Sequence, residues 1–120
     1  MVYGRAGSQL SMPPAFQVPT PFGTNLGGVN PQLFGVNAEA EFDSWLTVGV
    51  VDGTSNGGIS SVGIVWTDWT ENSGIETDDG AVFWMVPDDG PTAAAGAIVI
   101  AQLTVPMGSS FTASAGAQGR

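Results

Sequence analysis

The side chains able to do chemistry in this chain are almost all carboxylates. Eleven Asp and Glu stand against two arginines, Arg5 and Arg120, with no His, no Lys and no Cys. Without imidazole or thiol there is no ordinary general base, no thiolate nucleophile and no tetrahedral zinc site; without lysine there is no Schiff base. A serine hydroxyl would lack its activating partner. What remains is paired-carboxylate chemistry of the glycosidase kind, or a hard cation held by carboxylates and carbonyls. Paired carboxylates need a cleft with the acids about 5–10 Å apart, for which a 120-residue chain has little room. The expectation is a protein that is not an enzyme.

Three groups of residues keep some chemical interest. Glu39, Glu41 and Asp43 alternate, so on a strand they would stand in a row about 7 Å apart. Such a row either faces solvent opposite an apolar face or offers carboxylates to a cation. Asp52-Gly53, Asp78-Asp79-Gly80 and Asp88-Asp89-Gly90 are hairpin-turn chemistry first. Their carboxylates are also the candidate calcium ligands: Asp78, Asp79, Asp88 and Asp89 would meet at one end of a sheet structure and bind Ca²⁺ with nearby carbonyls. Their spacing does not match an EF-hand loop. The third group is Trp45, Trp66, Trp69 and Trp84. Trp84, in an apolar run, is a core residue. Trp45 shares its strand parity with the acids, and Trp69 falls opposite Trp66, so these two are the candidates for an exposed indole. Such an indole can be a stacking platform for polysaccharide or an anchor for a protein partner.

The elements that must position these residues read as strands. Residues 38–51 alternate, with Ala38, Ala40, Phe42, Leu46, Val48 and Val50 on one side. A second alternating run covers Ile59 to Trp69, and Ala81–Val86 is apolar on both faces, as a central strand would be. Ala97–Val105 and Ser110–Ala117 complete the set. No stretch has capped helical periodicity. Short strands punctuated by glycine-rich turns predict an all-β fold, an antiparallel β-sandwich of jelly-roll or Ig-like type occupying residues 31–120.

Residues 1–30 differ. They contain no acid and include Pro13, Pro14, Pro19 and Pro21, which favour extended backbone. This predicts an extended Pro/Gly-rich arm, which either lies against its own domain or docks on a neighbour. Phe16, Val18 and Phe22 are its apolar anchors.

Composition sets the boundaries. With 18 glycines and 8 prolines, but 42% hydrophobic residues and a mean hydropathy of +0.18, the chain is globular rather than disordered. A net charge of −9 with only two cations excludes phosphate-backbone recognition and disfavours anionic membranes. No apolar run approaches the roughly 20 residues of a membrane span. The residues after Met1 lack the charged and apolar regions of a signal peptide. The expectation is either a chain that is not secreted or a piece of a longer one, which the abrupt stop at Arg120 favours.

Three stretches carry a resemblance: Phe42-Asp43-Ser44-Trp45-Leu46-Thr47-Val48-Gly49; Asp78-Asp79-Gly80 through Pro87-Asp88-Asp89; and Ile100-Ala101-Gln102-Leu103-Thr104-Val105 with the closing Gln118-Gly119-Arg120. In this order they resemble a module repeated in large secreted or surface proteins of marine bacteria and algae. The resemblance spans about Leu33 to Arg120 and carries over no catalytic or ligand residues. It implies an extracellular or cell-surface setting and a longer parent chain.

The functional expectation is a structural assembly module of a surface fibre, sheath or similar polymer, joining copies of itself or neighbouring modules by strand or arm exchange. Ala97–Val105 and Ser110–Ala117 motivate it, because neither carries the charges that keep edge strands apart. The alternatives are a carbohydrate- or calcium-binding module and a viral surface or decoration protein.

Overall fold

The computed structural model describes residues 1–49, 51, 53, 59–84 and 98–118. Among them are eight short strands: β1 (Val2–Gly4), β2 (Leu10–Met12), β3 (Trp45–Leu46), β4 (Ile59–Val62), β5 (Ile75–Thr77), β6 (Gly80–Trp84), β7 (Ala101–Gln102) and β8 (Gly116–Ala117). They form three antiparallel sheets: a four-stranded one in the order β4-β6-β1-β8, and the pairs β2-β5 and β3-β7. The fold is all-β, with short 3-10 helices and no longer helix among these residues.

One core joins the sheets. Val2, Ile59 and Val82 come from the four-stranded sheet, Leu10, Met12 and Ile75 from β2-β5, and Leu46 from β3; Ala15 and Trp69 fill the space between. In β1 and β2 the outer residues are buried and the middle one half-buried, the alternation that fixes their facing and register.

The segment expected to be an arm is built into this core. Val2–Gly4 lies between β6 and β8, paired Val2 to Val82 and Val2 to Ala117. The proline run that follows has its backbone satisfied by its own chain. Ala15 N–H donates to Thr70 O (3.1 Å) and Phe16 N–H to Thr104 O (2.8 Å). Prolines keep the run extended, and the remaining donors then select its neighbours.

Residues 38–42 depart from the expected strand. They form a 3-10 helix, capped where the Asn37 side chain accepts from Glu39 N–H at 3.1 Å, with Ala40 the buried residue. With about three residues per turn, Glu39, Glu41 and Asp43 no longer share a face. The second long run also breaks. β4 ends before Gly63, whose φ of +73° suits glycine alone and whose Cα lies against the Asp79 carbonyl; residues 66–68 are again 3-10 helical. Ala81–Val86 was expected to be central. Over its described part, β6 is paired on both sides, with β4 and with β1.

Candidate functional site: the outer edge of β7 and the clasp behind it

Asp43 is the one buried carboxylate among the described residues. It is 0% exposed. Its Oδ1 accepts from Val18 N–H at 2.9 Å and its Oδ2 from Thr24 N–H at 2.7 Å. Burial pushes the carboxyl above the ordinary aspartate value, and the backbone N–H groups of Val18, Thr24 and Ser44 pull it part of the way back. The next residue continues the clasp. Ser44 N–H donates to Phe16 O (3.1 Å), and Ser44 Oγ accepts from Thr104 N–H (2.9 Å). From the other side, Gln102 Nε2 donates to Asp43 O (2.7 Å) and Glu41 O (3.0 Å). Proline segment, 3-10 helix, β3 and the strand around β7 are thereby tied at one point.

This clasp positions β7. Thr47 N–H donates to Ile100 O (2.9 Å) and Gly49 N–H to Val99 O (2.8 Å), so β3 and β7 run together beyond their assigned ends. On its other side, β3 is covered: Leu46 N–H donates to Asn25 O and Leu46 O accepts from Gly27 N–H. Leu46 therefore points away from β7, and by the antiparallel alternation its ladder partner Ala101 points its N–H and C=O away from β3. Thr104 faces inward, to Ser44 and Phe16, which turns Leu103 outward as well. No described strand pairs with that outer edge. It is flanked by Ile98, Val99 and Ile100, exposed by 39, 46 and 37%. Apolar side chains beside backbone groups that no described strand takes up, with no Lys, Pro or charge from Ile98 to Leu103, are the features of an edge open to a further strand.

The expected site residues fall elsewhere. Trp45 and Trp69 are only 5 and 3% exposed, so neither offers an indole face to a ligand. Trp69 Nε1 donates to Pro13 O at 2.9 Å, and its ring leans on Trp66 at 6.1 Å between centroids. A shallow cavity of about 450 Å³ has Trp45 in its wall together with Phe34, Glu41 and Gln102. Asp78 and Asp79 are exposed in the bend between β5 and β6; Asp88 and Asp89 lie outside the described residues. Among the described residues no three acidic side chains gather to hold a metal ion. Of the arm anchors, Val18 is buried, and Phe16 and Phe22 are half-buried against their own chain.

The clasp is what sequence reading missed. Asp43 was counted among surface acids, yet Asp43-Ser44 follows a capped 3-10 turn and precedes a strand, where short polar side chains often bind neighbouring backbone. Gln17 is the reverse case: its Nε2 is buried and finds no protein acceptor among the described residues. Gln17→Met should therefore be neutral or stabilising, by up to about 1 kcal/mol in urea unfolding; a loss above that size would mean the amide is bonded.

No family model, curated protein or solved structure matches this chain.

Proposed function

We propose that the protein is a non-enzymatic structural module whose copies, or neighbouring modules, join through the outer edge of β7, building a surface fibre, sheath or similar polymer outside the cell. The observation that carries this reading is the outer edge of β7 at Ala101 and Leu103, which no described strand pairs, beside the exposed Ile98, Val99 and Ile100. An incoming strand would take up the N–H and C=O groups of Ala101 and Leu103, main-chain bonds supplying affinity and the flanking side chains register. Two copies meeting antiparallel here form a twofold pair, each β7 both donor and acceptor.

The finer architecture belongs to the same proposal: a β-sandwich, with the four-stranded sheet forming one layer and β2-β5 and β3-β7 the other, around the shared core. The extracellular setting rests on the resemblance of the Phe42–Gly49, Asp78–Asp89 and Ile100–Val105 stretches. Assembly is preferred to polysaccharide binding because Ile98, Val99 and Ile100 are exposed while Trp45 and Trp69 are buried.

Val99→Lys tests the edge. Val99 is exposed, so the change should cost the fold no more than about 0.5 kcal/mol. Sedimentation velocity across a concentration series should show self-association weakened at least tenfold. Val65→Lys, at a similarly exposed valine outside any strand, should leave it unchanged. Equal behaviour of the two variants would remove β7 as the joint.

A further inference from the structure

A twofold β7 pair closes on itself, and a polymer needs a second joint. This inference rests on the proposed assembly and names that joint. The segment Ser109–Gln118 crosses two sheets. Ser114 exchanges reciprocal backbone bonds with Ser11 of β2, both 2.8 Å. Gly116 and Ala117 then pair with Tyr3 and Val2 of β1, and Gln118 N–H donates to Met1 O (2.9 Å). Ser114 Oγ adds a bond to Gln9 O (2.9 Å).

Almost all of this attachment is main chain. From Pro106 to Gln118 every residue is exposed except the half-buried Gly116. Phe111 lies 52% exposed and Met107 lies fully in solvent. Below the segment, a groove of about 450 Å³ runs between it and Met12, Pro13, Glu71 and Val105. Upstream, the chain turns at Pro106–Ser109, where Ser109 N–H and Oγ both donate to the Pro106 carbonyl, and Gly108 adopts a φ of +80°. The segment thus hangs from a compact turn and buries no large side chain.

We infer that Ser109–Gln118 exchanges between two copies, each copy's segment seating on β1 and β2 of the other, with Pro106–Ser109 as the hinge. The register is already specified. Gly116 lies over the Tyr3 ring so closely that a Cβ there would come within 2.7 Å of it, and a second copy brings the same glycine to the same ring. Every bond broken in one copy is remade in the pair, so exchange costs little beyond association itself. A reciprocal exchange is a second twofold joint; alternating with the β7 pair, it extends into a linear chain.

Cysteine pairing tests this, since the chain has no cysteine of its own. In a hydrogen-bonded antiparallel pair the Cα atoms lie about 5.5 Å apart, within disulfide range. Ser11→Cys protein and Ser114→Cys protein are mixed, concentrated to the assembling range and oxidised; non-reducing gels should show covalent heterodimers well above either variant alone. The Ser11→Cys/Ser114→Cys double variant should give covalent dimers, and inserting Gly-Ser-Gly after Gly108 should convert them to internally bridged monomers by relaxing the hinge. Internally bridged monomer alone, without the insertion and at a concentration where the protein associates, would overturn the exchange and leave the β7 joint standing. Covalent dimers persisting in the Val99→Lys background would support exchange whatever becomes of the edge.

Discussion

Replacing Asp43 by alanine should cost about 3–5 kcal/mol, lowering the thermal midpoint by roughly 10–20 °C in differential scanning calorimetry. The side chain is fully buried and satisfies Val18 and Thr24 N–H at 2.9 and 2.7 Å. Truncation leaves both donors unpaired at about 1–3 kcal/mol each, and opens a cavity beneath the proline segment. Asp43→Asn keeps one acceptor but sets an amide NH₂ against a backbone N–H, so its loss should be about 1–3 kcal/mol. A near-silent Asp43→Ala would mean the clasp does not hold the fold.

The same carboxyl predicts a pH dependence. Its folded value is raised, with burial the largest cause. A raised acid contributes stability that is fully present below its ordinary value of about 3.9 and is lost as pH rises through the folded value. The wild-type advantage over Asp43→Asn in urea unfolding should therefore be largest near pH 4 and shrink towards neutrality. An advantage that grows with pH would reverse the sign and make the three backbone donors, rather than burial, the dominant influence.

Deleting residues 1–12 should abolish cooperative folding, seen as loss of the near-UV circular dichroism of the buried tryptophans. The deletion removes β1 from the middle of the four-stranded sheet and β2 from beside β5, together with buried Val2, Leu10 and Met12. Three such side chains contribute about 5–9 kcal/mol by burial alone, comparable with the roughly 5–15 kcal/mol that holds a domain of this size. A free arm would detach without loss of the native signal. Retention of that signal and of a sharp thermal transition would show that β1 and β2 are appendages.

The contrast between arm and core shows what could be read in the residues. Alternation and turn chemistry predicted β structure, and Gly80–Trp84 became a strand paired on both sides. Prolines at 13, 14, 19 and 21 indicated extended backbone correctly but carried no information about its partners, which are Thr70, Thr104, Asp43 and Ser44, distant in sequence. The alternation of residues 38–43 was misleading, because Asn37 caps a 3-10 turn that places Ala40 inward without any strand. Trp45 and Trp69 were assigned by parity within single runs; burial was decided by which sheets meet, and both indoles lie inside. The clasp at Asp43 was hidden for the same reason, since its donors lie 19 and 25 residues away.

Backbone hydrogen exchange at Ala101 and Leu103, read residue by residue in dilute and in associated protein, tests the central claim most directly. Both amides should exchange freely in dilute solution and become protected on association, by tenfold or more, in step with the associated fraction, and Val99→Lys should abolish that protection. Association that leaves these two amides exchanging as fast as before would contradict β7 as the surface through which the modules join.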